Sequence, residues 1–256
     1  MLQMGRVLVA YSGGVDSSYL AYIASRELGE RASCVLGISP SVSADQREFA
    51  EDLANRFELN LRVIETKEFD DPRYTSNPTN RCYFCKTELY TRLEQIAAAE
   101  TLGPVFDGAN ADDVSDYRPG RSAAAEHNVR SPLIEVGLTK SEIRELSLKH
   151  GLPTWDKPAS PCLSSRVAYG VPVTIERLSR IEKAESYLRG LGFREFRVRV
   201  HGELARIEIA GSEMAGALTQ EFAKETAELF RKIGFKYVTL DLEGFRSGAM
   251  NEILDK

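Results

Sequence analysis

Through the first 150 residues, short apolar runs alternate with longer stretches whose apolar positions recur at helical spacing. Residues 6–11 (RVLVAY) are the first run, and they stop at Ser-Gly-Gly. Residues 15–28 then read as a helix and residues 32–38 as a second buried strand. Ser43 is placed to cap a helix running to about residue 58, with Ser, Asp and Glu near its start. A third strand is predicted over 61–65, a helix over 81–99 and a short fourth strand over 105–107. Residues 138–150 predict another helix, capped by Thr139 with Glu142 three positions on. Strands alternating with helices at this spacing predict an α/β fold, a doubly wound parallel sheet covered on both faces. A nucleotide is expected at the carboxyl ends of such strands.

Two stretches break the pattern. Residues 69–81 (FDDPRYTSNPTNR) are polar and carry two prolines, and residues 153–172 carry Pro153, Pro158, Pro161 and Pro172. Loops this long inside a compact domain are usually functional or disordered, and each of these contains or leads into a cysteine. Beyond Pro172 the character changes. A helix over 174–190 precedes two alternating segments, 196–200 and 205–209, then a helix over 220–233 and a last strand over 237–242. This predicts a small C-terminal α+β domain, with a division into residues 1–170 and 171–256.

The 256 residues are 43% apolar and 28% charged, enough for a full core, and the formal net charge is −5. An acidic balance argues against a nucleic-acid partner, whose phosphates call for clustered Lys and Arg. No apolar run approaches the ~20 residues of a membrane helix. The N-terminus enters a strand-like run at once and lacks the three regions of a signal peptide. A cytoplasmic protein is expected, in which four cysteines stay reduced and clustered ones act as metal or redox ligands.

Ser12-Gly13-Gly14-Val15-Asp16-Ser17-Ser18 lies between the first predicted strand and helix. Two glycines let the backbone turn tightly and bring its N–H groups to an anion, toward which the next helix points its positive end. Ser12, Ser17 and Ser18 can add hydroxyl donors. Asp16 would repel a phosphate directly, so its carboxylate makes sense as a holder of Mg²⁺ against phosphates. The string is not a Walker loop, because the Gly-Lys-Ser/Thr ending is missing. The alternative is a Gly-Gly turn closed by a serine cap.

Cys34 sits within an apolar strand and reads as structural. Cys82-Tyr83-Phe84-Cys85 is a C-x-x-C pair, and Cys162 lies in Pro161-Cys162-Leu163-Ser164-Ser165-Arg166. Such a pair fits a redox dithiol, half a zinc site or coincidence, and the three histidines have no evident ligand spacing to it. Three thiolates also suit an iron–sulfur cluster with one open iron. In Arg197-Val198-Arg199-Val200 the arginines share one strand face, and Ala205-Arg206-Ile207-Glu208-Ile209 repeats the alternation. These segments read either as the wet face of an antiparallel hairpin or as two guanidinium forks around a phosphate.

The glycine string resembles the pyrophosphate loop of the PP-loop (adenine nucleotide alpha hydrolase-like) superfamily, and Asp107-Gly108-Ala109-Asn110-Ala111-Asp112-Asp113 resembles a second recurrent element of it. Members cleave ATP to AMP and pyrophosphate, activating a carbonyl or carboxyl oxygen as its adenylate. Asn80-Arg81-Cys82-Tyr83-Phe84-Cys85-Lys86, with Lys157-Pro158-Ala159-Ser160-Pro161-Cys162-Leu163-Ser164-Ser165-Arg166, resembles the LarE family over nearly the whole chain. That family comprises ATP-dependent sulfur transferases of nickel-pincer nucleotide biosynthesis, for the maturation of lactate racemase. The resemblance implies ATP and Mg²⁺ at Ser12, Gly13, Gly14, Asp16, Ser17 and Ser18. The implied substrate is pyridinium-3,5-biscarboxylic acid mononucleotide, each of whose carboxylates is adenylated and exchanged for a thiocarboxylate. It implies catalytic roles for Asp16 and Cys162, and a [4Fe–4S] cluster on Cys82, Cys85 and Cys162 that takes sulfide or another sulfur donor. A one-cysteine form of the family instead sacrifices the sulfur of the position matching Cys162. Arg197, Arg199 and Glu208 match the family's cluster near the substrate phosphate and a bound metal, and the family implies a homo-oligomer such as a hexamer. The competing readings are a tRNA-thiolating enzyme of the same superfamily, a noncatalytic ATP-binding module and an ammonia-using synthetase.

Overall fold

The computed structural model describes residues 4–114 and 119–246, so the first three residues of the N-terminal segment lie outside it. The chain divides into two compact units, Met1–Ser160 and Pro161–Lys256. The division falls ahead of residue 170 and puts Cys162 in the second unit.

In the first unit the chain runs β1 (Val7–Tyr11), α1 (Val15–Leu28), β2 (Ala32–Ile38), α2 (Ala44–Arg56), β3 (Leu61–Glu65), α3 (Pro72–Thr75), α4 (Arg81–Ala99), β4 (Val105–Phe106), α5 (Gly120–Glu126), α6 (Pro132–Glu135) and α7 (Lys140–Lys149). The four strands form one parallel sheet in the order β3-β2-β1-β4. Side chains alternate across it. Val7, Val9, Tyr11, Cys34 and Leu36 pack with α1, α2 and α7 on one face, and Leu8 and Val35 pack with α4 and α5 on the other. Both faces are therefore covered, as the apolar runs predicted. Because β2 and β3 add to one side of β1 and β4 to the other, the strand order reverses between β1 and β4. That is the switch point at which doubly wound sheets open a crevice.

Residues 69–81 are less irregular than their composition suggests. Asp71 accepts a hydrogen bond from Arg73 N and starts α3, with Pro72 in the first turn. The hydrophobic pattern does not predict α5 and α6, which are too short to establish a period.

The second unit holds α8 (Ile175–Gly190), β5 (Phe196–His201), β6 (Leu204–Ile209), α9 (Met214–Ala217), α10 (Gln220–Ile233) and β7 (Tyr237–Leu240). Its sheet has the order β5-β6-β7, with β5 antiparallel and β7 parallel to β6. Leu178, Ile181 and Leu188 of α8, Val198, Val200, Ile207 and Phe230 are among its buried residues. Among the described residues no helix is long and apolar enough to cross a membrane.

Candidate active site

At the carboxyl end of β1 the chain turns through Ser12, Gly13 and Gly14 into α1. Gly13 has φ +68°, and a Cβ there would stand 2.7 Å from the Ala50 Cβ of α2, so only glycine fits. Gly14 is the N-cap of α1 and makes no side-chain cap, unlike Ser43, Thr139, Thr174 and Thr219, which cap α2, α7, α8 and α10. The first turn of α1 thus keeps N–H groups for an outside acceptor, with the helix dipole behind them. Ser12 Oγ and Ser17 Oγ are 3.0 Å apart at the loop's mouth. Ser18 is buried, and its backbone N–H donates to Gly14 O.

The loop after β4 closes on the same turn. A Cβ on Gly108 would lie 2.8 Å from Ser17 N and 3.0 Å from Ser17 Cα, so this glycine permits direct backbone contact with α1. Asp107 is fixed by Ser131 Oγ (2.7 Å), Ala109 N (3.2 Å) and Tyr90 OH (3.2 Å). Asp112 accepts from Lys140 N (2.8 Å), which joins this loop to the start of α7.

Two lysines that the sequence did not flag for this role reach the glycine loop. Lys140 Nζ is 2.6 Å from Asp16 Oδ2. Lys157 Nζ donates to Gly13 O at 3.2 Å and lies 3.4 Å from the Phe49 ring centroid. Burial pushes the Lys157 ammonium down to about 8. The Asp16 carboxylate, read above as a magnesium holder, is therefore already paired through one oxygen. Its other oxygen, Oδ1, is buried and has no hydrogen-bond partner among the described residues. A carboxylate oxygen left over beside an uncapped helix N-terminus fits the donor chemistry of Mg²⁺ held against phosphate.

Cys82 and Cys85 stand within the first two turns of α4, which also begins without a side-chain cap. Cys82 is exposed and Cys85 half-buried. Cys34 is fully buried in the core, and burial pushes its thiol up to about 12, in keeping with a structural role. Among the described residues no disulfide forms, and no three His, Cys, Asp or Glu side chains are grouped to hold a metal ion.

In the second unit Cys162 is half-buried and starts a 3₁₀ turn over Leu163–Arg166. Arg166 holds that turn: its Nη1 donates to Pro161 O (2.6 Å) and Cys162 O (3.1 Å), while its Nε and Nη2 pair with both oxygens of Glu185 at 2.9 Å. Arg197 and Arg199 are 8% and 6% exposed, which rules out the wet-hairpin reading. Arg199 donates to Glu208 Oε2 (3.0 Å) and to Ser165 O (2.9 Å) of the cysteine turn. Arg206 takes the other Glu208 oxygen at 2.8 Å. Arg197 lies over the Phe245 ring, 4.8 Å from its centroid. Burial first, and Arg166 next, push its guanidinium down to about 10. Glu185 and Glu195 act in the opposite direction, and Arg197 Nη1 donates to Phe196 O at 2.5 Å.

No family model matches the chain. An uncharacterised protein of Synechocystis is 45% identical over 99% of this chain and 95% of its own length. The pyridinium-3,5-bisthiocarboxylic acid mononucleotide synthase of Lactiplantibacillus plantarum is 37% identical over 98% of this chain and 91% of its own length. A glutamine-hydrolysing GMP synthase of Synechococcus is 26% identical over 72% of this chain and 40% of its own length. Together the first unit's geometry and these similarities make the chain an ATP-dependent enzyme.

Proposed function

The chain belongs to the LarE family of pyridinium-3,5-bisthiocarboxylic acid mononucleotide synthases, and from that membership we propose that it adenylates pyridinium-3,5-biscarboxylic acid mononucleotide and exchanges the activated oxygen for sulfur. The observation that carries the adenylation step is the crevice between β1 and β4. There an uncapped helix N-terminus, the spare Asp16 oxygen and the close approach of Gly108 meet. ATP would lie with its phosphates on Gly13, Gly14 and the first turn of α1, and Mg²⁺ on Asp16 Oδ1. Mg²⁺ would supply charge neutralisation at the phosphates. A substrate carboxylate oxygen attacks the α-phosphorus, the bond to the β-phosphate oxygen breaks, and pyrophosphate leaves. The acyl adenylate then yields AMP when a sulfur nucleophile adds at its carbonyl carbon. In the second unit, Arg197, Arg199 and Glu208 are assigned to the substrate's phosphate, because buried forked guanidinium groups suit that anion.

Sulfur delivery is assigned to the three cysteines that, unlike Cys34, are not sealed in the core. Their thiolates are the right donor chemistry for a [4Fe–4S] cluster, which would supply an open iron for an added sulfide. The one-cysteine route of the family, in which Cys162 gives up its own sulfur and becomes dehydroalanine, is the alternative outcome. A cytoplasmic homo-oligomer is part of the same reading.

The test is anaerobically purified protein given ATP, Mg²⁺, sulfide and the mononucleotide. Pyrophosphate and AMP release that depend on the mononucleotide, with sulfur replacing oxygen in the product mass, is the expected result. Absence of both, with tRNA retained at low salt, would favour the tRNA-thiolating alternative. Iron bound in wild type and in Cys34→Ala but lost in Cys82→Ala, Cys85→Ala and Cys162→Ala supports the cluster. Iron-free protein carrying dehydroalanine at position 162 after turnover overturns it in favour of sacrifice.

A further inference from the structure

We propose that Lys157 is a catalytic residue of the adenylation step: it contacts the ATP phosphates directly, and in the nucleotide-free protein it is parked on the glycine loop's own carbonyl. The inference rests on the adenylation reading for its step, but its core, a phosphate contact by this ammonium, is separable from it.

Lys157 Nζ has two neutral neighbours, Gly13 O at 3.2 Å and the Phe49 ring at 3.4 Å. An ammonium carries three donors, and among the described residues it has no carboxylate partner. The other lysine at this loop, Lys140, is balanced by Asp16 at 2.6 Å. Lys157 is therefore the uncompensated positive charge beside the turn that would cradle the phosphates. A backbone carbonyl and a ring are weak compensation for a half-buried ammonium, and burial is what lowers its proton affinity.

The placement is enforced from both sides. Arg144, one turn along α7 from Lys140, donates to Trp155 O (2.5 Å) and Lys157 O (2.8 Å). Gln46 of α2 donates to Ser160 O (2.8 Å) and Ser160 Oγ (2.7 Å). Phe49 and Ala50 of the same helix support Lys157 and Gly13. The segment from Trp155 to Ser160 is thus fastened at each end, and its lysine is delivered to the anion-binding turn.

When a triphosphate lies on this turn, the ammonium has a better acceptor than Gly13 O within a small side-chain movement. As the carboxylate attacks the α-phosphorus, negative charge builds on the departing pyrophosphate and the phosphoryl oxygens. Lys157 donates hydrogen bonds to them and keeps its proton throughout. At the same loop Asp16 of α1 pairs with Lys140 of α7, Arg144 of α7 donates to the Lys157 main chain, Asp156 precedes Lys157 in the chain, and α2 presents Phe49 to its ammonium. The partners of Lys157 Nζ, Gly13 O and the Phe49 ring, are both neutral, so a phosphate laid on this turn would be the group that holds its proton.

The experiment compares wild type, Lys157→Met and Lys157→Arg for ATP affinity between pH 7 and 10, for mononucleotide-dependent pyrophosphate release and for melting temperature. In wild type ATP affinity should fall as pH rises through about 8 and beyond, because the ammonium that phosphate holds is lost. Lys157→Met should bind ATP roughly tenfold to a hundredfold more weakly at pH 7, release pyrophosphate ~10²-fold more slowly and lose that pH dependence. Its melting temperature at pH 7 should hold or rise, since an uncompensated charge has been removed. Lys157→Arg should recover part of the affinity. A Lys157→Met protein with wild-type affinity, rate and pH profile, or one whose only change is a lower melting temperature, overturns the proposal. If wild type releases no pyrophosphate with the mononucleotide yet ATP affinity responds as described, the adenylation reading fails and the phosphate contact stands.

Discussion

A single methyl group is the finest probe of this protein. At Gly108 an added Cβ would meet backbone atoms of Ser17 at 2.8 and 3.0 Å, and backbone cannot swing aside as a side-chain tip can. Gly108→Ala should push the loop after β4 off the first turn of α1 and misplace Asp107 and Asp112. Misplacement on the order of an ångström typically costs ~10² in rate, so pyrophosphate release should fall by about that factor. Gly151→Ala, where the Cβ would meet nothing within 4 Å, tests φ +70° strain alone and should leave the rate near wild type. Equal rates in the two variants would separate Gly108 from the reaction. The motif around Gly108 was visible in the sequence, but its contact with Ser17 was not, because nothing local records which backbone a glycine must approach.

At the scale of elements, α7 is the strut of the site. The capping box predicted from Thr139 and Glu142 is present in both directions: Thr139 Oγ1 accepts from Glu142 N, and Glu142 Oε2 accepts from Thr139 N at 2.8 Å. Those bonds hold the Glu142 carboxyl below the usual carboxylate range. Their contribution is therefore present above the unfolded carboxylate range and is lost as pH falls through the lowered folded value. From this helix Lys140 and Arg144 reach Asp16 and the segment of Lys157. Thr139→Ala should lower stability by ~0.5–2 kcal/mol, measured by urea unfolding. Thr219→Ala removes the cap of α10 in the other unit and should cost a similar amount. Pyrophosphate release should fall in Thr139→Ala and not in Thr219→Ala; a reversed or equal pattern would show that α7 does not position the loop. The capping residues were legible because their bonding lies within four residues, whereas the destinations of Lys140 and Arg144 were not.

For the molecule as a whole, the second unit departs furthest from what alternation suggested. Period-two patterning says that Arg197 and Arg199 share a face, but not whether that face is wet. Here Ser165 O and the Phe245 ring lie against the two guanidinium groups, and Glu208 answers Arg199 and Arg206. The Arg166–Glu185 pair is almost wholly buried, with side chains 3% and 5% exposed, and Glu185 also accepts from Val198 N at 3.0 Å. Removing one partner of such a pair leaves a buried charge without compensation, which costs ~3–5 kcal/mol. Glu185→Gln should lower the urea midpoint read by circular dichroism accordingly and free the Cys162 turn from its anchor. An unchanged midpoint would mean that the pair contributes no net stability.

The order and type of the long elements, the caps of α2 and α7, and the turn at Gly13 and Gly14 were all legible in the sequence; the caps of α8 and α10 at Thr174 and Thr219 came from the structure. The sequence also carried the family membership, through the motifs around the glycine loop and the cysteines. These follow from local physics: side-chain period, hydrogen bonds within one helical turn and the φ values a residue tolerates. Tertiary packing settled which cations meet the glycine turn. Lys140 and Lys157 reach it from 124 and 144 residues away along the chain. It also decided that Asp16 keeps one oxygen spare and that Arg197 and Arg199 are buried. Pairings over such separations are set by how helices pack on a sheet, and no local propensity distinguishes a lysine facing solvent from one facing the glycine turn.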